Sequence, residues 1–168
     1  MKLAQLLAPL GITEGFMDVE ISDIVYDSRK AKAGCAFVCL RGSAVDGHKF
    51  AANAAAAGAA AIIAQEPVEA SGAQVILVED TRRALALMSA AFFGNPAEGD
   101  ISVIGVRGTK GKTSTAYMLR SILEAAGDKT GVIGTIGVLM GEELIQTDNT
   151  TPMSYDIQMY LRRMADAG

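Results

Sequence analysis

Histidine and cysteine are scarce in this sequence: His48 is the single histidine, and Cys35 and Cys39 are the only cysteines among 168 residues. Structural zinc sites draw on four such ligands, in paired spacings, so no zinc site is expected. The two cysteines lie four apart in "GCAFVCL", which reads as a buried strand. An even separation turns both thiols to one face, too far apart for a comfortable disulfide. They are expected as small, reduced core residues. No block of basic residues occurs, and the formal charge of −4 with a pI near 5.0 speaks against partners such as nucleic acid or anionic membrane. No unbroken run of ~20 apolar residues is present, so no membrane insertion is expected. The longest candidate, "AANAAAAGAAAIIA", is interrupted by Gly58 and reads as helix, turn and strand. The N-terminal "MKLAQLLAPLG" is broken by Gln5 and Pro9 and has no small-residue cleavage site, so it reads as a short helix and not a signal peptide. These absences together predict a cytoplasmic protein.

What is present is half apolar and one-fifth charged, with abundant alanine and glycine, the profile of an α/β protein. Strands are expected at 19–26, 35–40, 60–65 and 73–79, with a helix at 48–57 ended by Gly58. Thr81 serves as the expected N-cap of a helix over 82–93. "GNPAEGD" (94–100) is the clearest boundary, and divides the chain into domains at 1–98 and 99–168. Beyond it the spacing predicts a strand at 101–106, buried on both faces, and a glycine loop. A helix from 112, closed by Gly127, follows. Then come a strand at 129–137, a hairpin turning at Gly141-Glu142, and a last helix with Ile157, Tyr160, Leu161 and Met164 on one side. This second region holds about one and a half βα units, where a sheet normally has ~5 strands. It reads as the beginning of a P-loop parallel-sheet domain.

The loop is "GVRGTKGKTST" (105–115). A glycine turn between a buried strand and a helix aims backbone N–H groups and the positive helix end at an anion. Lys112 is the expected catalytic residue, reaching the β- and γ-phosphates of a nucleoside triphosphate, and the Thr113 hydroxyl the expected ligand of its Mg²⁺. Gly108 and Gly111 leave room for phosphate, and Lys110 is a second cation at the loop, either contacting phosphate or simply solvated. The usual pattern places a glycine where Val106 stands, so the spacing alone leaves open a damaged site, a chance run or a variant. "VILVED" (75–80) resembles a metal-binding strand end, but it lies before the loop and reads as a plain strand end with solvated carboxylates.

Gly108-Thr109-Lys110-Gly111-Lys112-Thr113-Ser114 resembles the ATP loop of the Mur ligase family, Gly-Thr-x-Gly-Lys-Thr-Ser/Thr, which makes the spacing a family variant. Asparagine is common in the family where Lys110 stands. The segment "DSRKAKAGCAFVCLRGSAVDGHKFAANAAAAGAAAIIAQE", with "GVIGTIG" and "TDNTTP", is similar to the branch that adds the third peptide residue in peptidoglycan synthesis. The resemblance covers essentially the whole chain. It implies a small α/β UDP-binding domain followed by an ATP-binding domain. It implies an ATP-dependent amide ligase that adds a diamino acid to UDP-N-acetylmuramoyl-L-Ala-D-Glu through an acyl phosphate, with Mg²⁺ accompanying ATP. By the same resemblance, residues 108 to 114 hold ATP. Tyr26, Ser28, Ser43, Ala44 and Val45 hold the UDP group, and Asn149, Thr150 and Thr151 contact the nucleotide-sugar peptide. In isolation, Asp27-Ser28-Arg29 also reads as an ordinary polar turn, and 148–152 as a loop entering a helix. The later metal-binding residues and a third domain of the family are not in this sequence. The chain alone is therefore expected to be catalytically incomplete and to self-associate through an unfinished sheet. Two other readings stay open: another ATP-dependent ligase of the superfamily, such as a folylpolyglutamate synthase, whose members lack an Asp-Ser-Arg domain, and a non-catalytic nucleotide-binding module. Turnover separates the last from the rest.

Overall fold

The computed structural model describes residues 1–42, 45–147 and 152–168. The chain divides into two compact units, Met1–Phe92 and Phe93–Gly168.

In the first unit, short apolar runs rich in β-branched and small residues form four parallel strands. They are β1 (Asp23–Val25), β2 (Cys35–Val38), β3 (Ala61–Ala64) and β4 (Gln74–Leu77), in the spatial order β1-β2-β3-β4. Every residue of β2 and β3 is buried, as a strand covered on both faces requires. Alternation splits their side chains. Cys35, Phe37, Cys39, Ile62 and Ala64 pack with Ala51 and Ala54 of helix α2 (Ala51–Ala56). The alternate residues turn to the other face, where α3 (Thr81–Phe92) lies against β3 and against the N-terminal helix α1 (Leu3–Leu7). Leu3, Leu6, Leu85 and Met88 are fully buried there. The small residues of α2 let it approach the sheet closely, and both cysteines are free and buried as expected. Burial, with the nearby Asp46 charge adding to it, pushes the Cys39 thiol up to about 12, so it stays a neutral, unreactive core residue at physiological pH.

Several elements are shorter than the sequence predicts. The strand expected over 19–26 has a ladder only at Asp23–Val25, because Glu20 pairs instead with Lys2, and Ile21 donates to the Met1 carbonyl. The helix expected from 48 opens as a 3-10 turn, Gly47–Phe50, before α2 begins. Thr81 does not cap α3. Asp80 does, its Oδ1 accepting from the backbone N–H groups of Arg82 and Arg83 at 2.8 and 3.1 Å. The acid at the end of "VILVED" is thus a helix cap and not merely solvated.

In the second unit, α4 (Lys112–Ala125) and α5 (Ser154–Asp166) accompany a three-stranded antiparallel meander. Its strands are β5 (Gly131–Gly134), β6 (Gly137–Met140) and β7 (Glu143–Ile145). The single strand expected over 129–137 is therefore a hairpin arm and a turn. Gly134 pairs with Gly137, and at Gly137 (φ +134°) a Cβ would lie 2.5 Å from the Ile145 carbonyl oxygen, so only glycine fits. The hairpin at Gly141-Glu142 forms as expected, with Met140 opposite Glu143. Segment 101–106 differs from expectation: it pairs with no strand among the described residues. A strand exists only through its ladder, and Val103 and Ile104 are each 59% exposed.

Candidate functional site

The sequence-predicted site residues fall into two groups, one in each unit. The glycine loop leads into α4. Gly111 takes the left-handed conformation (φ +79°) as the residue before the helix, and nothing lies within 4 Å of where a side chain would start. Its carbonyl accepts the first helical bond, from Thr115 N–H at 2.9 Å. The N–H groups of Lys112, Thr113 and Ser114 belong to the first turn, where a helix offers donors without intrahelical partners. Lys112 curls back, donating from Nζ to the Gly108 carbonyl at 2.8 Å and the Thr109 carbonyl at 3.5 Å. Thr109, Lys110 and Ser114 are exposed and Thr113 is half-buried. First-turn donors with an exposed lysine beside them fit a polyphosphate, and the Thr113 hydroxyl is a hard oxygen of the kind Mg²⁺ prefers.

The other group lies at the carboxyl ends of β1 and β2, the end at which ligands bind open α/β sheets. Tyr26 follows β1 directly, and Ser28 opens a 3-10 turn, Ser28–Lys30. Asp27 caps that turn, accepting from Arg29 N–H at 3.0 Å and gripping the Arg29 side chain at 2.7 to 3.1 Å. The Arg29 guanidinium holds the Asp27 carboxyl below its ordinary range. Beyond β2, residues 40–42 pair with residues 45–47 as a stem. Gly42 N–H donates to the Val45 carbonyl at 2.9 Å, Gly47 N–H to the Leu40 carbonyl at 2.8 Å, and Arg41 bridges Asp46. Val45 is exposed on this stem. Because β1 and β2 are parallel neighbours, Tyr26, Ser28 and Val45 share one end of the sheet. Ser43, Ala44, Asn149, Thr150 and Thr151 lie outside the described residues.

A cluster that the sequence reading missed sits beside the stem. Asp46, His48 and Glu66 bring one ligand atom each within 4.8 Å of one another. It is not arranged for a cation. The His48 Nδ1 lies 2.6 Å from Asp46 Oδ1, and Nε2 accepts the Gln65 backbone N–H at 3.0 Å, so neither nitrogen has a lone pair to give. Arg41 already supplies the positive charge, 2.6 Å from Glu66 Oε2 and 3.5 Å from Asp46 Oδ2. The backbone N–H of His48, then its ring, hold the Asp46 carboxyl below its ordinary range. The signal in the sequence was Asp-Gly-His, an acid placed to accept from the amide two residues on.

Comparison with known proteins bears on both groups. Residues 20–93 match the Mur ligase family, catalytic domain, and residues 106–168 match the Mur ligase middle domain. The chain is 43% identical over 171 aligned positions to the UDP-N-acetylmuramoyl-L-alanyl-D-glutamate--2,6-diaminopimelate ligase of Bacillus licheniformis, covering 100% of this chain and 35% of the relative. It is 40% identical to the ligase of the same name from Listeria monocytogenes, covering 100% of the chain and 34% of that protein. It thus spans about a third of the length of these curated relatives. A solved structure of a ligase with that name superposes with a TM-score of 0.72 at 24% identity, over 97% of this chain and 34% of the other, and shares the fold. MurF ligase from Thermotoga maritima, solved in complex with ADP, superposes at a TM-score of 0.57 with 28% identity, over 83% of this chain and 28% of that one. Two matches to successive domains of one family, in order and with the α/β architecture found here, place the chain in the Mur ligase family.

Proposed function

We propose that this chain is the nucleotide-sugar-binding and ATP-phosphate-binding portion of an ATP-dependent amide ligase that extends a peptidoglycan precursor. The observation that carries this reading is the pair of half-sites: Tyr26, Ser28 and the stem of residues 40–42 and 45–47 at the carboxyl end of a parallel sheet, and a lysine-bearing glycine loop opening α4. The relatives are named for joining 2,6-diaminopimelate to UDP-N-acetylmuramoyl-L-alanyl-D-glutamate, which supports that nucleotide peptide as substrate and diaminopimelate as the amino acid added. A carboxylate oxygen of the substrate attacks the γ-phosphorus of ATP, the bond to the β–γ bridging oxygen breaks and ADP leaves. The amine then attacks the acyl carbon, phosphate departs with the bonding pair, and the amine nitrogen loses a proton.

The first-turn N–H groups of α4 donate to phosphate oxygens, and Lys112 leaves the Gly108 carbonyl to follow charge on the transferring group. Thr113 fits the role of Mg²⁺ ligand, and the ion supplies charge neutralisation at the phosphates when bound. Tyr26, Ser28, Ser43, Ala44 and Val45 hold the UDP group, and Asn149, Thr150 and Thr151 the peptide-bearing sugar. ATP and nucleotide sugars are cytoplasmic metabolites, which supports a cytoplasmic location. Exposed apolar side chains on α4 support self-association of the chain. Calorimetric titration with UDP-N-acetylmuramoyl-dipeptide, beside Ser28→Ala, tests the reading. The variant is expected to bind roughly tenfold more weakly, the weight of one hydrogen bond. A folded wild-type chain that gives no binding heat would overturn it.

A further inference from the structure

His48 is held on every side by groups whose chemistry dictates its state. Its side chain is 4% exposed. The Gln65 N–H needs a lone pair on Nε2, so the ring is neutral there and its proton sits on Nδ1, donated to Asp46 Oδ1. Asp46 Oδ1 also takes the His48 backbone N–H at 3.0 Å. Gln65, the residue after β3, extends the chain of bonds: its Oε1 accepts from the Thr81 hydroxyl at 3.0 Å and its Nε2 donates to the Glu79 carbonyl at 2.9 Å. Arg82 Nη2 donates to the Arg41 carbonyl at 2.9 Å, adding a second tie from α3. The stem of residues 40–42 and 45–47 is thereby fastened to the end of β3 and to the start of α3.

A core that only needed filling would use an apolar side chain, since a buried polar group repays its desolvation only when fully paired. Gly42 and Gly47 are required by the tightness of the same stem: a Cβ would lie 2.9 Å from the Val45 oxygen in one case and 2.8 Å from the Leu40 nitrogen and oxygen in the other. A loop end so braced at the ligand-binding edge of a sheet is preorganised rather than adaptable.

The geometry points to His48 as a positioning residue for the nucleotide-sugar half-site, clamping through Asp46 and Gln65 the stem that pairs Gly42 with Val45 and Leu40 with Gly47. The inference rests on the substrate reading above. His48 is the only histidine in the chain, so a spectrum of ¹⁵N-histidine-labelled protein reports this one ring. It is expected to be the neutral Nδ1–H tautomer, and an Nε2–H ring would overturn the clamp.

Titration of His48→Ala with UDP-N-acetylmuramoyl-dipeptide is expected to show roughly tenfold weaker binding, the weight of one hydrogen bond, with ATP affinity unchanged. Asp46→Asn keeps an oxygen acceptor for both His48 N–H groups and should recover most of the affinity lost in Asp46→Ala. Equal affinity in folded His48→Ala and wild type would overturn the proposal. Should the wild-type chain bind no nucleotide sugar, the substrate reading fails. The clamp is then judged by hydrogen exchange: the Gly42 and Gly47 amides should exchange faster in His48→Ala while the amides of β3 do not change, and unchanged stem amides sink it. If His48→Ala does not fold, the same comparison is made between Asp46→Ala and Asp46→Asn.

Discussion

At the scale of single residues, Lys112 shows how a loop can be stable without being committed. Its ammonium is satisfied by carbonyls of its own loop, so the charge is kept at the helix entrance where a phosphate would compete for it. The side chain is exposed and packs against no core, so Lys112→Ala should leave stability within about 0.5 kcal/mol of wild type. A charge-assisted hydrogen bond is worth about 1.5–3 kcal/mol, and ATP affinity measured by titration should therefore fall by roughly ten- to a hundredfold. Unchanged ATP affinity would remove the lysine from the site. The turn and helix start around Lys112 were legible from the sequence because Gly111 and the helical run after it are contiguous. His48 was not, because a lone histidine says nothing until its neighbours are known. Gln65 stands 17 positions away and meets the ring only after β3 is laid beside β2.

At the scale of elements, the four strands of the first unit were visible as apolar runs, and their ends were not. Strand ends are set by where the partner's ladder stops, which is why the run at 19–26 narrows to three paired residues. Helix α3 shows the same limit at its start. Thr81 and Asp80 are both good caps by type. Thr81 is already the first helical residue and its hydroxyl donates to the neighbouring Gln65, while Asp80, one residue earlier, accepts from the helix N–H groups. Replacing Asp80 by Ala should cost the first unit about 1 kcal/mol. That lowers its melting temperature by roughly 4–8 °C. Asp80→Asn, which keeps a capping oxygen, should lose much less. Equal losses in the two variants would assign the effect to charge rather than to the cap. The hairpin at Gly134–Gly137 was missed because its two turn residues, Thr135 and Ile136, are β-branched and read as a continuation of the strand.

At the scale of the whole molecule, the two units differ in how well their apolar surface is covered. The parallel sheet of the first has helices on both faces, whereas α4 in the second has no buried residue. Met118 and Ile122, four apart and therefore on one side of that helix, are each 66% exposed. Exposed apolar surface of this kind drives association. Sedimentation of the purified chain should show a weight-average mass that rises with concentration, and the double change Met118→Glu with Ile122→Glu should abolish the rise. A chain that stays monomeric throughout would remove this face as a contact. The α/β class was readable, because burial on two faces demands runs of apolar residues that half-exposed strands do not need. The parallel sheet expected in the second region is found in the first unit instead, and the described strands of the second pair antiparallel.

The sequence by itself determined the local chemistry: which residues bear charge, where glycine frees the backbone, and which short runs must be buried. The glycine turn before α4 is local in that sense, since the glycines, the lysine and the helix start are contiguous in the chain. The tertiary structure decided everything that depends on residues far apart in the chain. It chose Asp80 over Thr81 as a cap, and it turned one apolar segment into a hairpin. It left 101–106 without a ladder among the described residues, and it set His48 between Asp46 and the Gln65 amide. The reason is common to all four: a hydrogen-bonding group reveals its role only through its partner, and the partner is supplied by the fold.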